Sequence, residues 1–161
     1  MNVIKYQKSL KLILFLSIFA LVSAYFIQYV LGHQPCNLCL FERVPYLSSI
    51  IIILSCFYFK KFEKISLILL CLIFFFAAIL SFYHFGIEQG FIKESLVCNL
   101  SVGDNFMNPE ELLKSLKEKP TSCKDVTFRL FGLSLATINI FISLIVSVIT
   151  LKLFLDYEKN K

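Results

Sequence analysis

The chain has 161 residues, of which 58% are hydrophobic and only 17% charged, and its mean hydropathy is +0.78. This excludes an ordinary soluble domain and a disordered chain, and it points to a single polytopic membrane domain over residues 1–161. The formal net charge of +5 comes with no basic stripe interleaved with aromatics, so it reads as positive-inside bias and no nucleic acid is expected as a partner.

Residues 1–11 carry Lys5, Lys8 and Lys11 and no acid; a charge-free run of twenty residues follows from Leu12 to Leu31. At about 1.5 Å per residue, that run spans a hydrocarbon core of roughly 30 Å. Val22-Ser23-Ala24 resembles a signal-peptide cleavage site. The apolar run continues beyond it through Tyr25-Phe26-Ile27, so the expectation is an uncleaved first span over 12–31. A polar loop over 32–43 contains Cys36-Asn37-Leu38-Cys39. The second span covers 44–59, and Pro45, tolerated only in a first helical turn, places its start near Val44.

Lys60-Lys61-Phe62-Glu63-Lys64 forms a tight basic turn, and the third span is expected over 65–83, with His84 just beyond it. The long polar stretch 84–132 holds Cys98 and Cys123. Within it, Asn108 suits a helix N-cap, Pro109 a first turn, and Glu110 and Glu111 the positive end of the helix dipole. Leu112, Leu113 and Leu116 share one face of that helix, and Pro120 ends it. The fourth span is expected over 133–151, before a charged tail from Asp156 to Lys161. The fold class is therefore an all-α membrane protein, a four-transmembrane-helix bundle with a short amphipathic helix in the second outward loop.

Orientation follows from the charges. Residues 1–11, the turn 60–64 and the tail from Lys152 hold nine Lys or Arg and three acids, whereas the other two loops hold seven basic and eight acidic residues over a greater length. Both termini are therefore expected in the cytoplasm. Cys36, Cys39, Cys98 and Cys123 then face the oxidising side, where disulfides persist. Cys56 and Cys71 fall within apolar spans and read as small packing residues.

Four outward cysteines allow three pairings. A disulfide between Cys98 and Cys123 would be an ordinary loop staple. One between Cys36 and Cys39 closes almost no loop, so redox duty is favoured over a structural one. A metal site would draw on His33, Cys36 and Cys39, but no second close-spaced pair completes it. Covalent haem attachment would need His after the second Cys, where Leu40 stands. Arg43 reads either as an interfacial anchor or partner of Glu42, or as a fixed charge that holds Cys39 as a thiolate and stabilises an electron acceptor. His84 could donate a hydrogen bond or proton to the same acceptor, and Asn139 reads as helix–helix glue. Thiol exchange only moves electrons among cysteines. An acceptor must remove them, and a lipid-soluble quinone suits both the chemistry and the location.

The segment Cys36-Asn37-Leu38-Cys39-Leu40-Phe41-Glu42-Arg43-Val44-Pro45-Tyr46 resembles the signature of the bacterial disulfide bond formation protein DsbB family. Tyr83-His84-Phe85-Gly86-Ile87-Glu88 and Phe131-Gly132-Leu133-Ser134-Leu135-Ala136 through Asn139 extend the similarity over nearly the whole chain. The resemblance implies an inner-membrane enzyme that reoxidises a periplasmic DsbA-like thiol oxidase and passes the electrons to ubiquinone or menaquinone in the membrane pool. It also implies that Cys98 is attacked by that partner, that Cys123 exchanges with Cys36, and that Cys39 faces the quinone, with Arg43 and His84 beside it. A vitamin K epoxide reductase-like enzyme is the nearest alternative, although its close pair opens a late span. A non-enzymatic membrane protein with structural loop disulfides is the other.

Overall fold

A computed structural model describes residues 3–58, 63–93, 98, 122–124, 128–130 and 132–159. The amphipathic helix expected over 108–117 lies outside the described residues. Helix α1 runs Val3–Tyr29, a short α2 covers Asn37–Phe41, α3 covers Val44–Tyr58 and α4 covers Glu63–Glu88. A two-stranded antiparallel ribbon, β1 (Arg129–Leu130) with β2 (Leu133–Ser134), leads into α5 (Leu135–Lys159). Four helical stretches are long and apolar enough to cross a membrane, as expected for a four-helix bundle.

The helix bounds differ from the apolar runs for local reasons. Helix α1 begins well before Leu12, because Lys8 and Lys11 are good helix formers whose exposed side chains do not interrupt the ladder. Helix α3 starts at Val44, with Pro45 in its first turn as the sequence requires. Helix α4 runs beyond Tyr83 to Glu88, carrying His84 on the helix rather than in the loop. Its stop is a glycine device: Gly90 adopts φ 77°, and the amides of Phe91 and Ile92 donate back to the Gly86 carbonyl at 2.9 and 3.1 Å. A Cβ on Gly86 would lie 2.7 Å from Ile92 Cδ1, so a larger residue there would make the Ile92 side chain shift. The fourth helix starts at Leu135, not 133, because residues 133–134 pair with β1 and Ser134 Oγ accepts the Thr137 amide at 3.2 Å. Past residue 151 it continues through the charged tail to Lys159.

Helices α4 and α5 pack along most of their length, α1 packs on α3, and α3 on α4. The inward core joins Leu10 and Ile13 of α1, Ile53 of α3, Leu67, Leu70 and Phe74 of α4, and Val146 and Leu153 of α5. Small hydroxyl residues let the backbones approach: Ser49 Oγ donates to Ser17 Oγ at 2.8 Å, and Ser147 Oγ to the Cys71 carbonyl at 3.3 Å. Large apolar side chains such as Phe15, Phe76 and Phe141 point outward, as a lipid-facing surface requires. At the cytoplasmic end, Lys64 pairs with Glu158 and lies over the Phe154 ring, tying α4 to α5.

Candidate active site

The site is built at the outward end, around the single turn of α2. Cys36 is its N-cap, in extended backbone conformation, and Cys36 Sγ accepts the Cys39 amide at 3.3 Å. The turn sets the two sulfurs side by side, 2.8 Å apart. In the dithiol state the Cys39 thiol hydrogen-bonds to Cys36, and with help from His84 it overcomes the burial that opposes charge. The Cys36 thiol is thereby held down to about 5, far below its ordinary range.

The extra turn of α4 places His84 beneath this pair. The His84 side chain is 3% exposed; its Nε2 lies 3.5 Å from Cys36 Sγ, and its Nδ1 lies 2.9 Å from Glu42 Oε1. Glu42 follows α2 directly and points into the bundle. Its Oε2 accepts from Asn139 Nδ2 of α5 at 3.1 Å. Asn139 Nδ2 also donates to Ser81 Oγ at 2.8 Å, while Asn139 Oδ1 accepts from Tyr46 and Ser143. Asn139 is thus helix glue, as expected, joining α3, α4 and α5 and holding the carboxylate that orients His84. A buried charge is tolerable when its oxygens are occupied in this way.

Cys98 and Cys123 form a disulfide with Cα atoms 5.8 Å apart. Both are buried in one cluster with Cys36, Leu38 and Ile87, so the fold brings all four outward cysteines together. Cys56 and Cys71 sit apart, in α3 and α4, with Cys56 beside Tyr6 and Cys71 beside Ser147.

A cavity of about 340 Å³ opens beside the close pair. Apolar residues of α1 and α5, among them Phe19, Ala20, Ile27, Ile138 and Ile142, form its walls. Cys36, Cys39, Arg43, His84 and Glu88 supply its polar end. Arg43 is not engaged with its neighbour Glu42. It reaches towards α1, where Nη1 donates to Gln28 Oε1 at 2.7 Å and the guanidinium lies 5.0 Å from the Tyr25 ring centroid. Its positive charge is therefore fixed at the cavity wall.

The donor atoms of Cys36, Cys39 and His84 all lie within 4.8 Å of one another, so His84, not His33, completes the nearest metal-like set. His33 instead packs on Phe128, with ring centroids 5.3 Å apart. Two thiolates on a tetrahedral zinc, each at about 2.3 Å from the ion, would sit about 3.8 Å apart. Sulfurs at 2.8 Å suit a dithiol–disulfide couple better. Glu42, Gln28, Tyr46 and Glu88 were not among the residues the sequence nominated for function. Glu42, Tyr46 and Glu88 do stand within the segments that carry the family resemblance, and the i, i+4 spacing of His84 and Glu88 has meaning only once α4 is known to continue.

Comparison with known proteins agrees with this chemistry. The family model described as "Disulfide bond formation protein DsbB" matches residues 7–153. The uncharacterized protein RP370 of Rickettsia prowazekii (strain Madrid E) is 31% identical over 156 residues, spanning 95% of this chain and 90% of that protein. No solved structure matches the chain. Because the match runs through all four apolar helices and both cysteine pairs, this multi-pass inner-membrane chain belongs to the DsbB family and is a thiol oxidoreductase.

Proposed function

We propose that this enzyme reoxidises a periplasmic DsbA-like dithiol oxidase and hands the electrons to the membrane quinone pool, sustaining disulfide formation in other proteins. The observation that carries this reading is the meeting of two cysteine pairs in one buried cluster, one of them walling an apolar cavity. Cys98, paired with Cys123, receives the partner's thiolate and forms a mixed disulfide. Cys123, released as a thiolate, then exchanges with Cys36. The end state is a reduced Cys36 and Cys39 pair at the cavity.

The residues present fit a quinone. The cavity volume of about 340 Å³ falls in the range of small-molecule sites, its walls are apolar and a fixed guanidinium stands at its polar end. Ubiquinone or menaquinone would supply the two-electron, two-proton acceptor that the thiol exchange lacks. Arg43 offers positive charge where negative charge develops on an acceptor oxygen. His84 Nε2, oriented by Glu42, can take or return the Cys36 proton.

Steady-state turnover of a reduced dithiol partner with added quinone tests this reading. Wild-type protein is expected to turn over, as are Cys56→Ala and Cys71→Ala. Serine at position 36, 39, 98 or 123 is expected to stop the cycle. Normal quinone reduction by Cys39→Ser would refute the assignment.

A further inference from the structure

The site contains one buried polar atom that the thiol chemistry leaves unexplained. Glu88 ends α4, its side chain is 6% exposed, and it lines the same cavity as Cys36 and Cys39. Its Oε1 lies 3.8 Å from His84 Nε2. Its Oε2 is buried and has no hydrogen-bond partner among the described residues. A carboxylate with an unpartnered buried oxygen is strongly disfavoured as an anion, and a carboxylic acid is far cheaper to bury. Glu42, buried nearby, shows the contrast, because both of its oxygens are engaged.

Taking the proposed dithiol-to-quinone reaction as its basis, we propose that Glu88 is a proton-relay residue that carries a proton between His84 and the cavity. His84 Nδ1 is committed to Glu42, so Nε2 is the ring atom that exchanges protons, and it faces both Cys36 Sγ and Glu88 Oε1. Oxidation of the Cys36 thiolate with the Cys39 thiol breaks one S–H bond, forms one S–S bond and releases two electrons and one proton. The quinone class of acceptor takes up the two electrons and two protons. The second proton is the one that Cys36 has already given to His84 Nε2. Glu88, already protonated, gives its proton to the cavity and is recharged from His84 at Oε1. A half-turn about its Cγ–Cδ bond returns that proton to the cavity side. The groups acting on Glu88 are His84 on its own helix, Glu42 from the junction of α2 and α3, Cys36 from the first outward loop and the Ser134 hydroxyl of β2, which hydrogen-bonds to the Glu88 carboxyl and leaves Oε2 as the oxygen without a partner among the described residues.

The test compares Glu88→Gln, which keeps the shape but carries no acid proton, with Glu88→Asp, which keeps the acid. In purified quinone-free protein, infrared spectroscopy should detect the carbonyl stretch of a protonated carboxylic acid. Glu88→Gln should remove that band, and Glu88→Asp should retain it at a shifted position. With a short-chain ubiquinone and chemically reduced Cys36–Cys39, Glu88→Gln should slow quinone reduction at saturating quinone by at least about tenfold, the low end of what acid–base groups supply. It should also enlarge the solvent deuterium isotope effect and leave the quinone KM near that of the wild type. Glu88→Asp should restore much of the rate.

A persistent infrared band in Glu88→Gln, or an unchanged rate and isotope effect, overturns the relay and leaves the proposed function standing. If wild-type protein fails to reduce quinone, the functional reading falls, and the infrared band still decides whether Glu88 carries a proton. Should Glu88→Gln not fold, the Glu88→Asp band decides instead: a carbonyl stretch at a shifted position supports the relay, and a band unmoved from its wild-type position overturns it.

Discussion

The two ends of this bundle treat polar groups in opposite ways. In the middle and inward half, hydroxyls are closed off locally. Thr150 bonds to the carbonyl of Val146 on its own helix, and Ser17 and Ser49 satisfy each other across one helix pair. At the outward end the polar groups reach across several elements and converge. Glu42, His84, Ser81, Asn139 and Tyr46 form one network, and its free side is Cys36 and the cavity. The same fold thus contains a region whose polar atoms only permit close packing and a region whose polar atoms hold reactive groups in register. Substitutions should separate the two cleanly.

The largest effects belong to the outward thiols. Cys36→Ser or Cys39→Ser should abolish turnover in a coupled dithiol–quinone assay while leaving the bundle folded by circular dichroism. Next comes Arg43→Ala, which removes the fixed charge at the cavity wall. Losing a hydrogen bond to a charged group is worth roughly 1.5–3 kcal/mol, so the efficiency of quinone use should fall about ten- to a hundredfold. Exchange with the dithiol partner should remain largely intact. Equal loss of both activities would mean that Arg43 supports the fold and not the acceptor.

A smaller, graded effect concerns acidity. In the reduced protein the Cys36 thiol is held down to about 5, so its alkylation should be near its plateau at neutral pH and should fall away as pH drops through that value. Cys39→Ala removes the leading stabilising contact and should move the midpoint furthest upward, towards the ordinary thiol range. His84→Ala should move it less, in the same direction. A downward shift in either variant would contradict the geometry. The smallest effects belong to the inward region. Ser49→Ala should cost about 0.6 kcal/mol in thermal or denaturant unfolding and leave quinone turnover unchanged. If Ser49→Ala impaired catalysis as strongly as Arg43→Ala, the division between the two regions would fail.

Much of this was legible in the sequence. Charge-free runs and lysine-rich ends defined four spans, Pro45 fixed the start of α3, and the Cys36–Cys39 spacing with its flanking Glu42 and Arg43 pointed to redox chemistry at one end of the bundle. Asn139 was readable as glue because a polar side chain inside a span must find partners. The end of α4 was not readable. Polarity after Tyr83 and the glycine at position 86 resemble a loop, yet the helix continues to Glu88, and the chain then folds back so that the Phe91 and Ile92 amides bond to the Gly86 carbonyl. That extra turn carries His84 and Glu88 into the site. The role of Glu42 was hidden for a related reason: next to Arg43 in sequence, it suggested an ion pair, whereas the turn after α2 sends the two side chains in different directions. The short β1–β2 ribbon depends on Gly132 at φ 84° and on pairing too brief to leave a periodic pattern.

The central claim is that the close cysteine pair and its cavity form a unit that delivers electrons to quinone independently of the second pair. The most direct measurement is a single turnover of the Cys98→Ser, Cys123→Ser double variant, with Cys36 and Cys39 chemically reduced and then mixed anaerobically with a short-chain ubiquinone. The account predicts one hydroquinone formed per protein and the loss of two free thiols. Retention of both thiols with no hydroquinone formed would contradict it.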